Sequence, residues 1–273
     1  MSNTSITNAE SGLVHAEVVR RELVTPHMVR VTLSGDDLRR FVFTGFDQWF
    51  RLAIPVRDDG SSLADLPDSF GIGGYLRYLR LPKQTRPVIR NYTVRSFRPA
   101  TDAAALPELD IDFVVHGDQG IAGPWAAAAK PGDAVALIDQ GHGWPDQRPA
   151  DWVLLVADES GLPAVAGILR DLPRDAVGHA FIEVLDERDR QPTGAPRGVQ
   201  VHWLARSGGE APGSLALPAV QQLSFLPGRV SAFAVGEQAL AAGVRRHLVR
   251  ERDVPKGDVT FSGYWRVGRS APS

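Results

Sequence analysis

The chain predicts an all-β unit followed by an α/β unit: a six-stranded antiparallel β-barrel, then a doubly wound parallel sheet. Three observations lead there. Residues of the first half fall into short apolar segments separated by turn residues, the pattern of successive strands. A cluster of Gly and Pro, Gly141 to Ala150, then interrupts two apolar segments and reads as a hinge. Beyond it strands alternate with helical patterns, which implies parallel pairing. The expected divisions are a flexible polar lead-in over residues 1–12, the barrel over 13–145 and the α/β domain over 146–273.

The barrel strands are expected at Leu13 to Arg21, Met28 to Ser34, Trp49 to Pro55, Asn91 to Ser96, Asp110 to Val115 and Ala134 to Ile138. Closing such a sheet removes its unpaired edges. Asp58 to Pro82, rich in Gly and Ser, is expected to be a long excursion, partly ordered at best. In the second unit the strands are Trp152 to Ala157, His179 to Val184, Val199 to Leu204, Val230 to Val235 and Val259 to Ser262. Ser160 to Leu172 predicts a helix with Ser160 as N-cap and Leu162, Val165, Ile168 and Leu169 on its apolar stripe. Leu215 to Phe225 and Glu237 to Arg250 are two further helices.

Composition narrows the chemistry. Thirty basic residues against 32 acidic ones give a formal net charge of -2, which does not recommend a nucleic-acid partner. There is no apolar run of membrane-spanning length and the N-terminus lacks a signal peptide's apolar core, so a cytoplasmic protein without membrane contact is expected. Cysteine is absent, which removes disulfides, thiolate nucleophiles and iron–sulfur clusters. The seven histidines form no HxH or HxxxH pair, and no protein-bound metal is expected. Redox chemistry here would use an organic cofactor.

The segment Arg90-Asn91-Tyr92-Thr93-Val94-Arg95 is the most informative motif. On one strand, Arg90, Tyr92 and Val94 share a face and Asn91, Thr93 and Arg95 the other. A guanidinium forks onto phosphate, an aromatic ring covers an isoalloxazine or ribose, and a hydroxyl hydrogen-bonds a ring edge. Further on, the strand ending at Val115 runs through His116-Gly117-Asp118-Gln119-Gly120 into the alanine-rich Ile121 to Lys130. A glycine turn opening a helix leaves backbone N–H groups free for a pyrophosphate. In the α/β domain, ligands bind beyond the carboxyl ends of the strands. Asp158-Glu159-Ser160-Gly161 stands at that rim where a GxGxxG fingerprint would be expected and is absent. A nicotinamide dinucleotide there would be an exchangeable substrate.

These motifs, together with Thr25 to Leu33, Phe113 to Gly117, Gly120 to Ala126, Pro131-Gly132-Asp133, Ala157 to Pro163 and Ser262-Gly263-Tyr264-Trp265-Arg266, resemble the siderophore-interacting proteins, or ferric-siderophore reductases, within the ferredoxin reductase-like flavoproteins. The likeness runs through nearly the whole chain in family order. It implies FAD held by Arg90, Tyr92 and Thr93, by Val115, His116 and Gly117, and by Gly120, Ala122, Gly123 and Trp125. It further implies Tyr264 and Trp265 near the flavin and the nicotinamide subsite, and NADH or NADPH near Asp158, Glu159 and Ser160. Basic residues, with Arg51, Arg246, Lys256 and Arg266 as counterparts, would bind an anionic ferric siderophore. Glu183 could accept a ribose 2′-OH, favouring NADH, whereas Arg188, Arg190 and Arg206 could hold a 2′-phosphate, favouring NADPH. A ferredoxin donor is also compatible with such a protein, and nothing in the sequence requires more than a monomer. The rival readings are a general flavin or quinone reductase and a siderophore-binding flavoprotein without turnover.

Overall fold

The structure, a computed structural model, describes residues 12–56, 61–64, 66–67, 72–82, 84–115, 120–145 and 148–269. The first unit holds seven strands: β1 (Val14–Thr25), β2 (Met28–Ser34), β3 (Trp49–Ile54), β4 (Val88–Thr93), β5 (Ser96–Arg98), β6 (Glu108–Val114) and β7 (Ala134–Asp139). They make one sheet in the order β4-β3-β7-β1-β2-β6-β5, every pairing antiparallel. The expected number was six. The extra strand arises because the segment around Arg90 bends at Val94-Arg95: Val94 N–H turns to the Gln48 carbonyl and Arg95 N–H to the Asp110 carbonyl. Three residues, Ser96–Arg98, then pair with β6.

Alternation along these strands builds the core. Phe50, Leu52 and Ile54 of β3 join Val14, Ala16 and Val18 of β1 and Leu109, Ile111 and Phe113 of β6 in one buried cluster, as period-two patterning requires. Tyr92 on end strand β4 reaches Phe113 on β6, ring centroids 4.3 Å apart, so the sheet curls over its own core. Helix α1 (Ile72–Arg80) occupies part of the expected excursion. Tyr78 pins it: the ring is 3 % exposed, packs with Ala53, Ala136 and Ile138, and its hydroxyl donates to the Pro87 carbonyl at 2.9 Å. Helix α2 (Ala122–Ala128) lies between β6 and β7.

The second unit is a five-stranded parallel sheet of β8 (Trp152–Ala157), β9 (Val177–Val184), β10 (Gly198–Ala205), β11 (Val230–Glu237) and β12 (Val259–Trp265), ordered β10-β9-β8-β11-β12. Val153, Leu155 and Ala157 of β8 pack on α3 (Leu162–Asp171). Trp152, Leu154 and Val156 pack on the other face against α4 (Ala216–Gln222) and α5 (Gln238–Glu251). Helices on both faces explain why β8 is apolar throughout. The strand order reverses beside β8, so the carboxyl ends of β8 and its neighbours β9 and β11 form the part of the rim where such sheets bind ligands.

The expected hinge is anchored. Asp47 is 2 % exposed and accepts from Gly143 N–H and Trp144 N–H, the latter at 2.8 Å. Trp144 then packs edge-on to Phe233 of β11 at 6.2 Å. Elsewhere Gly167 of α3 lies against Phe46, where a Cβ would fall 2.0 Å from the Phe46 carbonyl oxygen. Phe46 N–H donates to Asp171 at 2.6 Å, and Arg170 donates to the Arg95 carbonyl at 3.0 Å. A single apolar cluster includes Met28 and Trp144 of the first unit together with Val153 and Leu169 of the second. The two units therefore share a packed interface. Among the described residues no helix is long and apolar enough to cross a membrane.

Candidate functional site

On the first unit the site is an aromatic platform beside Gly120 and the start of α2. Tyr92 packs on Phe113, and Phe113 on Trp125 of α2 at 5.6 Å. Burial pushes the Tyr92 phenol above its ordinary pKa, opposed by the charge of Arg90, so the hydroxyl is present as a neutral donor. The Arg90 guanidinium folds back to the Ile89 carbonyl at 2.7 Å, and Thr93 is buried. Val115 N–H donates to the His27 carbonyl at 2.9 Å, fixing the start of the following turn. His116 and Gly117 lie outside the described residues. Gly120 has φ 87° and open space where a Cβ would stand, so a ligand can approach its backbone closely. Helix α2 begins at Ile121 without a side-chain cap, leaving first-turn N–H groups unpaired by side chains. Ala122 is buried in the core, and Gly123 backs onto β6, where a Cβ would sit 3.2 Å from the Val114 carbonyl. A guanidinium, a phenol, a hydroxyl and a free helix start make up a donor set suited to FAD, with its ring system and pyrophosphate.

The turn after β8 is built differently from its expected use. Asp158 is 0 % exposed and accepts from Ser160 Oγ (2.5 Å), Ser160 N–H (2.9 Å), Glu237 N–H (2.6 Å) and Trp265 Nε1 (3.0 Å). Burial raises its pKa against those donors. Asp158 therefore frames the rim from inside and does not reach a ligand, and Ser160 serves Asp158 instead of capping α3, which starts after Gly161. Glu159 is 5 % exposed; one oxygen accepts from Arg206 Nη2 at 2.7 Å and the other has no partner. Its carboxyl is pushed up to about 7, first by burial and then by the charge of Asp158, with Arg206 pulling the other way.

All four residues weighed for the ribose end are engaged in ion pairs. Glu183 is fully buried and accepts from Gly213, Leu215 and Ala216 N–H groups, closing the start of α4. Arg206 lies between Glu159 and Glu183. Arg188 pairs with Asp186 and Arg190 with Glu187 at the surface. A cleft of about 420 Å³ opens at this rim, lined by Asp186, Glu187, Arg206, Ser207 and Gly208 among others.

The C-terminal aromatics lie at the junction of the two units. Trp265 is tied to Asp158, and Val267 N–H donates to Glu237 at 3.3 Å. Tyr264 leaves 39 % of its surface open, while desolvation around its phenol, followed by the charges of Asp47 and Asp158, raises its pKa well above the ordinary value. The basic residues expected around the chelate are scattered. Arg51 pairs across the sheet with Asn91, on the face of Thr93 and opposite that of Tyr92. Arg266 is exposed just past β12. Lys256 is in the short turn before β12, whose first residue pairs with Ala232 near the start of β11. Parallel pairing therefore sets Lys256 at the edge of the sheet opposite the rim. Arg246 is exposed two turns down α5 from that rim. The structure does not gather these four into one patch.

Sequence reasoning missed Asp47 and the clasp between His27 and Asp189. His27 N–H donates to Asp189 Oδ1 at 3.0 Å and its Nδ1 meets Oδ2 at 2.8 Å. This joins the turn that backs Val115 to the loop beside the rim cleft. Only the short polar tip Thr25-Pro26-His27 hinted at it, since its partner is 162 residues away.

Residues 17–143 match the family described as Siderophore-interacting FAD-binding domain, and residues 150–268 match the Siderophore-interacting protein family. The uncharacterized protein Rv2895c of Mycobacterium tuberculosis is 39 % identical over 269 residues, covering 94 % of this chain and 92 % of its own. Ferric vibriobactin reductase ViuB of Vibrio cholerae is 33 % identical over 256 residues, covering 93 % and 89 %. The crystal structure of a siderophore utilization protein from T. fusca superposes with TM-score 0.79 at 35 % identity, covering 100 % of this chain and 99 % of that one.

Proposed function

The chain belongs to the siderophore-interacting protein family, and from that premise we propose that it is an FAD-dependent ferric-siderophore reductase supplied with electrons by NADH or NADPH. The observation that carries the reading is the Tyr92–Phe113–Trp125 platform beside the uncapped start of α2, within the span that matches an FAD-binding family. Full-length likeness to a ferric vibriobactin reductase supports the acceptor. Bound FAD would accept a two-electron hydride and return electrons singly, as ferric iron requires. Tyr92 covers the ring system, Arg90 and the α2 N–H groups meet the phosphates, and Thr93 hydrogen-bonds the ring edge. Tyr264, with its open face, stands over the approach from the second unit. Arg266, exposed just past β12, attracts the anionic chelate, and the iron enters as substrate inside its chelator. The curl that brings Tyr92 onto Phe113 supports reading the first sheet as a closed barrel. A monomer without a nucleic-acid partner fits the same reading.

The test is anaerobic: FAD-loaded protein is scanned while NADH, then NADPH, is added, followed by a ferric siderophore and a ferrous-ion trap. Bleaching of the flavin bands and their return with stoichiometric Fe(II) is the expected result. Bleaching without Fe(II) would replace the chelate by a quinone or free flavin. A flavin that neither nicotinamide reduces would move the donor to a ferredoxin.

A further inference from the structure

Arg206 is the only cation among the residues lining the rim cleft, and both of its terminal nitrogens are engaged by buried carboxylates. Glu183 holds Nη1 at 3.3 Å and Glu159 holds Nη2 at 2.7 Å. The two carboxylates are not equivalent. Glu183 is also fixed by three backbone N–H groups at the start of α4, whereas among the described residues Arg206 is the only side chain that Glu159 pairs with, and its second oxygen is buried and unpaired. Asp158 and Glu237 stand close by, buried and committed to the turn and to the start of α5. Two buried carboxylates thus hold one guanidinium, and Glu159 is the one from which a bond is most readily withdrawn.

We infer that Glu159 is a proton-operated gate on Arg206: ionised, it occupies the guanidinium, and protonated, it releases one nitrogen to a phosphate group of a dinucleotide lying in the cleft. The inference rests on the reading of NADH or NADPH as donor. The proton comes from solvent and no covalent bond changes. The pKa near 7 and its causes agree with a group that changes state in this range. The other charges facing the cleft do not share the role. Asp186 and Glu187 are paired with Arg188 and Arg190. Glu210 takes the Ser207 hydroxyl at 2.6 Å, and Asp189 is held by His27. Gly208 at the mouth has open space where a Cβ would stand.

The experiment titrates FAD-loaded wild type and Glu159→Gln with ADP-ribose and with 2′-phospho-ADP-ribose by calorimetry between pH 6 and pH 8. These probes carry the phosphates but no nicotinamide, so no redox step intervenes. Comparison between the two proteins cancels the probes' own titration. For a gate near 7, linkage predicts that wild-type Kd divided by variant Kd climbs from about one at pH 6 to about tenfold at pH 8. Titration in buffers of different ionisation heat should show wild type taking up nearly one proton on binding at pH 8 and the variant none. A Kd ratio constant with pH for both probes, or equal proton uptake, overturns the gate while leaving the donor reading standing. No binding of either probe to either protein at any pH overturns the donor reading and the gate with it. Glu159→Gln removes a charge from an acid-rich cluster and keeps the side chain's shape, so a melting temperature no lower than wild type is expected as the check on folding.

Discussion

Burial and a nearby cation act in opposite directions on the Tyr92 phenol, and burial prevails. The ring is valued here for its face, with the hydroxyl a secondary donor. Tyr92→Ala should therefore weaken FAD binding by more than tenfold, and Tyr92→Phe by less, since an aromatic pair is worth about 0.5–1.5 kcal/mol beyond its burial; flavin fluorescence titration of the apoprotein checks both. At this scale the sequence is legible where a motif sits in consecutive residues: Arg90, Tyr92 and Thr93 lie within four positions of one strand, inside the span that matches an FAD-binding family. Asp158 and Glu183 are illegible for the converse reason. Apart from Ser160 and Gly161 beside Asp158, their partners are backbone N–H groups and side chains 23 to 107 residues away, and no local pattern tells a carboxylate that reaches a ligand from one that closes a helix start.

Among the elements, α3 shows what a small residue does within a helix. Gly167 lets the Phe46 carbonyl approach so closely that a Cβ would fall 2.0 Å from its oxygen, with backbone and not a movable side chain in the way. Gly167→Ala should cost about 1–3 kcal/mol in spite of the better helix propensity of alanine, because overpacking displaces the Phe46 turn; thermal unfolding of the FAD-loaded protein measures it. The apolar stripe of α3 was readable from spacing alone, and so was β8, which is buried on both faces and leaves an uninterrupted apolar run. The start of α3 was not, because Ser160 is drawn to Asp158 by a bond that the apolar stripe does not record. Nor was β5, whose three residues follow a bend created by Gln48 and Asp110 from distant strands. Helix α1 escaped notice because its buried anchor, Tyr78, lies in a segment otherwise rich in turn residues.

Across the whole molecule the two units are held by polar contacts around an apolar centre, and Asp171 is the most exposed of these to pH. Burial works to raise its pKa, yet Arg170 and the Phe46 N–H bring it below the ordinary carboxylate value. A depressed native pKa means that the contribution is complete above the unfolded value and is lost as pH falls through the native one. Wild type should accordingly melt above Asp171→Asn at pH 7, and the gap should close on acidification below about pH 4; paired thermal scans from pH 7 to pH 3 follow it. Two units and their order could be read from the change of periodicity at Gly141 to Ala150. That this stretch is clamped, with Trp144 buried and Asp47 on its backbone, depends on contacts nearly a hundred residues apart.

Chain order and spatial order disagree at β8, which lies beside β11, and protein synthesis must contend with the difference. Every strand of the first sheet has been made by Asp139, so the flavin platform can assemble on the ribosome while the rest is still being translated, as amino-terminal units generally do. The rim is different: Asp158 waits for the Trp265 indole and Glu237 for the Val267 N–H, partners that emerge more than a hundred residues after the turn they complete. A chain halted in between would have its first sheet complete and yet lack the indole that ties the turn after β8. Such a product would carry a finished sheet beside an unfinished rim, so the order of synthesis makes stalling a hazard of its own for this enzyme.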